Sequence, residues 1–154
     1  MKTGSPIADL CSIERTLQIV GERWSLLVLR EILLSGLSRF GDLERALNVA
    51  PNVLSDRLAT MVEAGVLEKH EYREAGSRAR FSYHPTDAGR DLILVLAALQ
   101  QWGDEHNAPE VGATIARSSA DGGAVRVAVV DDRSHEVSLD DVRFVPTASY
   151  VRTP

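Results

Sequence analysis

The stretch LSRFGDLERALNVAPNVLSDRLATMVEAG, residues 37–65, restricts the fold of this chain more than any other segment. Phe40, Leu43 and Leu47 recur at helical spacing and form the inner face of a short helix. Asn48, Val49 and Ala50 then make a turn. Pro51 suits the first position of a second helix, where its missing N–H is no loss. Val53, Leu54, Leu58, Met61 and Val62 line the buried side of that helix, and Gly65 closes it. A short helix, a three-residue turn and a second helix with a polar outer face have helix-turn-helix spacing.

The flanking residues extend this unit. Ile13, Leu17 and Val20 form a helical stripe that begins at Cys11 and is broken by Gly21. Trp24 to Leu34 is apolar on most faces, which predicts a core helix ended by Gly36. VLEKHEYRE and ARFSYHP flank the turn residues Ala75, Gly76 and Ser77, so they predict a β-hairpin. Thr86 can cap a long last helix from roughly Asp87 to His106. That helix is apolar almost all round from Leu92 to Leu99, through Val95 and Leu96, and Trp102 lies one turn further on. One small core cannot cover so much surface, and the surplus predicts packing on a second copy of the chain. The composition changes at Pro109: residues 110–123 read as a linker, and VRVAVVD and VSLDDVRFVP alternate like short strands of a hairpin appendage. The expected organisation is a domain over residues 1–108, a linker over 109–123 and a C-terminal extension over 124–154.

A chain of 154 residues that is 44% hydrophobic and 25% charged has the material for one buried core, which excludes disordered and collagen-like classes. The longest apolar run, LILVLAAL, is too short to cross a bilayer, and MKTGSPIADL has no apolar stretch suited to a signal peptide. The single cysteine cannot form a disulfide within the chain, so a cytoplasmic setting is expected and no membrane partner. The net charge is −5, but residues 36–90 are neutral and hold a basic subset: Arg39, Arg45, Arg57, Lys69, Arg73, Arg78, Arg80 and Arg90. Attraction to phosphate should therefore be modest and salt-dependent.

With its leucines inward, the Pro51 helix presents Asn52, Ser55, Asp56, Arg57, Ala59, Thr60 and Glu63 outward. Asn, Ser, Thr and Arg suit base edges and phosphates in a major groove, and the first turn aims N–H groups at phosphate oxygen. A solvated helix face would carry similar residues; the preceding helix and turn favour double-stranded DNA. Arg78 and Arg80, two apart on an expected strand, share a face, and Arg73 lies on the other arm. Three guanidiniums around one tip suit a wing on phosphate or minor groove, although arginines also simply solubilise a hairpin. Arg39, where the short helix begins, is a further candidate phosphate contact. Cys11 starts the first helix, a position that favours thiolate chemistry and makes it a candidate redox or electrophile sensor; its other reading is a small buried hydrophobe. His70, His84, His106 and His135 are scattered without metal-ligand spacing. No phosphate loop or nucleophile elbow is present, so no metal, cofactor or catalytic residue is expected.

The blocks CSIER, GERWSLLVLREIL, RFGDLERAL, PNVLSDRLATMVEAGVLEK, RFSYHPTDAGRDL and LQQWGDEH, in this order over residues 11–106, resemble the HxlR-type winged-helix regulators. The resemblance implies a mainly α fold with a small β-wing (α+β). It implies a homodimer that engages an inverted repeat, reads it with the Pro51 helix and touches phosphate with the wing. It also places the first and last helices, and so Ile13, Leu17, Leu92, Val95, Leu96, Leu99 and Trp102, in the dimer interface. Some members sense oxidants, quinones or aldehydes through a cysteine at the position of Cys11. The chain departs from the pattern at Ala50 (a hydroxyl residue is common), Asn52 (lysine), Asp56 (glutamine) and Ser12 (proline). The changes at Asn52 and Asp56 lower the positive charge of the reading helix. The expected function is a dimeric transcriptional regulator responsive to an electrophile, an oxidant or a small molecule. The competing expectations are a winged-helix adaptor for proteins and a thiol enzyme using Cys11.

Overall fold

The computed structural model describes residues 11–147, which divide into two compact units, the first running to Ile93 and the second from Leu94. In the first unit the order is α1 (Ser12–Val20), α2 (Arg23–Leu34), α3 (Phe40–Leu47), α4 (Pro51–Glu63), β1 (Leu67–Tyr72), β2 (Arg80–Pro85) and α5 (Asp87–Asp91). α2 is the hub and packs against α1, α3, α4 and β2. Its Val28 and Leu29, with Leu43 of α3, Leu54, Leu58 and Met61 of α4 and Leu67 of β1, form the fully enclosed centre. Each such side chain contributes about 1.5–3 kcal/mol on leaving water.

The turn between α3 and α4 depends on Asn48, whose φ of 47° is left-handed. Asparagine tolerates that conformation because its short amide can bond locally. Val49 is buried behind the turn and anchors it.

β1 and β2 pair antiparallel from Leu67 opposite Pro85 to Tyr72 opposite Arg80. Leu67 and Tyr83 face the core, while Glu68, His70, Tyr72, Arg80, Ser82 and His84 share the other face. A one-residue third strand lies beside β2: Arg39 bridges Ser82, and the Tyr83 N–H donates to the Ser38 carbonyl at 2.8 Å. The wing is thereby tied to the start of α3. Arg78 lies outside both strands, in the loop around Gly76, so the expected same-face pairing with Arg80 on one strand does not form. The hairpin loop is long enough that pairing begins only at Arg80.

Thr86 joins α5 to the rest of the unit. Its hydroxyl accepts from the Gly89 N–H at 3.1 Å and reaches the Gly65 carbonyl at 2.7 Å, and its own N–H donates to Val66. Gly89 is pressed so closely on this corner that a Cβ there would stand 2.2 Å from the Val66 carbonyl oxygen. The single helix expected over Asp87–His106 is consequently two, α5 and α6 (Ile93–His106), separated at Leu92. The Leu92 N–H bonds back to Gly89, a tightened three-residue closure that ends α5. Leu92 is half-buried at this joint.

In the second unit α6 contains no buried residue. Its polar side holds the chain that follows. The Gln101 amide donates to the Val127 carbonyl at 3.0 Å and accepts from the Val127 N–H at 2.8 Å. Gln100 donates to the Ile115 carbonyl at 2.6 Å, and Arg117 pairs with Asp104 at 3.2 Å. Two residues of the expected linker, Ile115 and Arg117, are thus bonded to α6 through its polar side chains Gln100 and Asp104. The expected strand pair in the tail shrinks to its turn. Val130 bridges Glu136 while the Asp131 carboxylate accepts from the Arg133 and His135 N–H groups, and a second bridge joins Ser118 to Ala124. Residues 139–141 form a 3-10 turn instead of strand. The expectations for residues 1–10 and 148–154 lie outside the described residues.

Gly89→Ala should destabilise the first unit by about 2 kcal/mol, because the obstructing atom is backbone and cannot swing away. Chemical denaturation followed by circular dichroism measures this. Asn48→Val should cost roughly 1–2 kcal/mol while Asn48→Gly stays near wild type, since only the β-branched residue resists the left-handed turn.

Candidate nucleic-acid interface

α4 opens at Pro51 after Ala50, whose side chain supplies no cap, so the first-turn N–H groups have no side-chain acceptor. Asn52, Ser55 and Asp56 are exposed beside this turn, and Ala59 and Glu63 continue the exposed face. Thr60 is half-buried, and its hydroxyl donates to the Asp56 carbonyl at 3.0 Å. Arg57 differs from its neighbours. Its side chain keeps 27% of its exposure and its guanidinium lies 4.0 Å from the Glu22 carboxylate, just before α2. To reach a base edge it would have to leave that partner.

Arg73, Arg78 and Arg80 of the wing are exposed and pair with no acidic side chain among the described residues. Arg39 is more engaged. Its guanidinium sits 4.8 Å over the Tyr72 ring and 3.0 Å from Glu74, strapping the start of α3 to the wing. Glu74 therefore has a specific partner in Arg39 and is not the partner of the other wing arginines. Between α3 and the wing lies a cleft of about 690 Å³ lined by residues that include Arg39, Phe40, Tyr72, Arg80 and Tyr83. Burial pushes the Tyr83 phenol pKa up, so this ring enters the cleft wall as a neutral group.

The structure also assembles what the spacing had scattered. His70 and His84 stack with ring centroids 4.9 Å apart on the outer wing face, with Ser82 Oγ 3.0 Å from His84 Nε2. The hairpin register was the missing signal, since residues far apart in the chain become diagonal neighbours once the strands pair. Among the described residues no group of three or more His, Cys, Asp or Glu side chains is arranged to hold a metal ion. No helix among them is long and apolar enough to cross a membrane. Cys11 is exposed at the N-cap of α1, so its alternative reading as a buried hydrophobe does not hold.

On α1, Ile13 and Leu17 are 64% and 55% exposed. On α6, Leu94 and Trp102 are each 62% exposed, Val95 and Leu99 are also exposed, and Leu96 is half-buried. Leu94, Ala98 and Trp102 follow at four-residue steps along one side of α6. Ala97, Gln100, Gln101 and Asp104 occupy the other side, where the tail is bonded.

This geometry agrees with comparison to known proteins. The family described as HxlR-like helix-turn-helix matches residues 19–111. An uncharacterized HTH-type transcriptional regulator of Mycobacterium tuberculosis is 44% identical over 95 residues, which cover 62% of this chain and 58% of that protein. The chain thus spans less than two thirds of the length of the first curated relatives it matches. The crystal structure of PA1607, named as a candidate transcription factor, superposes with a TM-score of 0.76 at 30% identity, covering 89% of this chain and 95% of that one. PA1374 of Pseudomonas aeruginosa, similarly named, gives 0.63 at 34% identity over 92% and 95%. Both likenesses run beyond the family match into the C-terminal unit. A helix-turn-helix with a two-stranded wing, built on these residues in this order, makes the chain a member of the HxlR-like helix-turn-helix family.

Proposed function

We propose that the protein binds double-stranded DNA as a homodimer on an inverted-repeat operator. The observation that carries this reading is the combination of an uncapped, polar first turn on α4 with three wing arginines that have no acidic partner among the described residues. Asn52, Ser55 and Thr60 would meet base edges or phosphates in the major groove, with Pro51 setting the helix start and Arg57 joining once released from Glu22. Asp56 is an acid on this face, so it disfavours phosphate beside it and would favour a cytosine amino group. Arg73, Arg78 and Arg80 would hold the flanking backbone, and Arg39 would add a phosphate contact while bracing the wing.

Exposed apolar surface supports a second copy. The exposed apolar residues of α1 and of the free side of α6 are the residues a dimer would cover. In an inverted repeat the two copies of α4 must lie about 34 Å apart to enter successive major-groove turns. A modest change in their separation then suffices to switch binding. Such a change would come from a small molecule, or from an electrophile at the exposed Cys11 thiol.

Fluorescence anisotropy with genomic duplex fragments tests the reading. Binding should weaken steeply with salt, and Arg78→Ala with Arg80→Ala should lower the slope of log affinity against log salt by about 2. No binding at low salt, or binding indifferent to those two arginines, would favour the protein adaptor instead. Sedimentation should give a dimer that Trp102→Glu converts to monomer while the first unit keeps its helical signal. A wild-type monomer at all concentrations ends the inverted-repeat reading.

A further inference from the structure

The cleft between α3 and the wing has a volume, a wall and a charge that phosphate contact alone does not account for. Its roughly 690 Å³ lies in the range of small-molecule sites and far exceeds what one phosphate group fills. Its wall is aromatic. Phe40 and Tyr72 are half-buried along it. The Arg39 guanidinium already rests over the Tyr72 ring at 4.8 Å, so the wall is both π-rich and positive.

The charges do not cancel. The lining holds Arg39, Arg45 and Arg80 against Asp42 and Glu74. Arg39 is taken by Glu74 and Arg45 by Asp42, which leaves the Arg80 guanidinium as the lining cation without an acid among the described residues. One unmatched guanidinium beside flat rings fits a single carboxylate carried on a planar ring.

We infer that this cleft binds a small planar aromatic monoanion of the aryl carboxylate class, its carboxylate on Arg80 and its ring against Phe40 and Tyr72. The consequence for regulation rests on the proposed DNA reading: an occupied Arg80 is lost to backbone phosphate, so the ligand releases DNA by competing for the wing.

Calorimetric titration of the full chain without DNA tests the site, with 2-naphthoate as probe and 2-naphthalenemethanol and inorganic phosphate as controls. 2-Naphthoate should bind saturably, once per protomer, and about tenfold more tightly than the alcohol, since a charge-assisted pair replaces a neutral one. Arg80→Gln should weaken it about tenfold with an unchanged thermal melt, and phosphate at equal concentration should not displace it. Equal affinity for acid and alcohol, displacement by phosphate, undiminished binding to Arg80→Gln, or no saturable binding each overturns the assignment. The regulatory arm is separate: 2-naphthoate should raise the apparent Kd for duplex in the wild type and not in Arg80→Gln. If the chain binds no duplex at all, the titration without DNA still decides the site.

Discussion

The seating of α4 on α2 is the packing on which everything else rests. α4 encloses Leu54, Leu58 and Met61, and α2 encloses Val28 and Leu29. Three buried side chains on one short helix, at about 1.5–3 kcal/mol each, far outweigh any preference of its polar residues for a different rotation about the helix axis. Once those three point inward, the helix has no freedom in what it shows outward. Asn52, Ser55 and Asp56 are presented as a consequence of core packing. The left-handed Asn48 and the buried Val49 then fix the angle at which α3 delivers the chain to α4.

The wing follows from the same core by a shorter route. Leu67 and Tyr83 anchor one face of the hairpin, and Ser38 and Arg39 add backbone pairing along β2. Arg39 contributes three ways: a backbone bridge, a ring contact with Tyr72 and an ion pair with Glu74. The ion pair is about half exposed and adds little stability by itself. Its larger effect is on charge, because it engages Glu74 and leaves Arg73, Arg78 and Arg80 without an ion-pair partner among the described residues. The same arrangement gives the cleft its unmatched cation, so DNA contact and ligand binding would draw on a single guanidinium.

The second unit shows how a helix with no buried residue can still be ordered. α6 divides its surface by chemistry: glutamines and an aspartate hold the following chain, and leucine, valine and tryptophan remain in water. Gln101 satisfies both backbone groups of Val127, which is how a strand neighbour would treat them. The tail therefore obtains local order from side-chain amides where a sheet would otherwise have supplied it. The apolar side is left as a surface that a second subunit would complete.

Periodicity alone determined the helix-turn-helix, the hairpin and the apolar excess of α6, because each depends on residues within two or three turns of one another. The blocks that resemble the HxlR-type regulators identified the family for the same reason. Tertiary structure decided what depends on distance across the fold. Arg57 turned to Glu22, Arg39 became a strap as well as a candidate phosphate contact, and His70 met His84 only through strand register. The helix expected over Asp87–His106 divided at Leu92 where Gly89 presses on Val66, a contact between segments more than twenty residues apart that no local pattern encodes. The tail departed furthest from expectation because alternation of apolar and polar residues permits a strand but cannot supply its partner. Here the available partners were the side chains of α6, and hydrogen bonding to them took the place of a ladder.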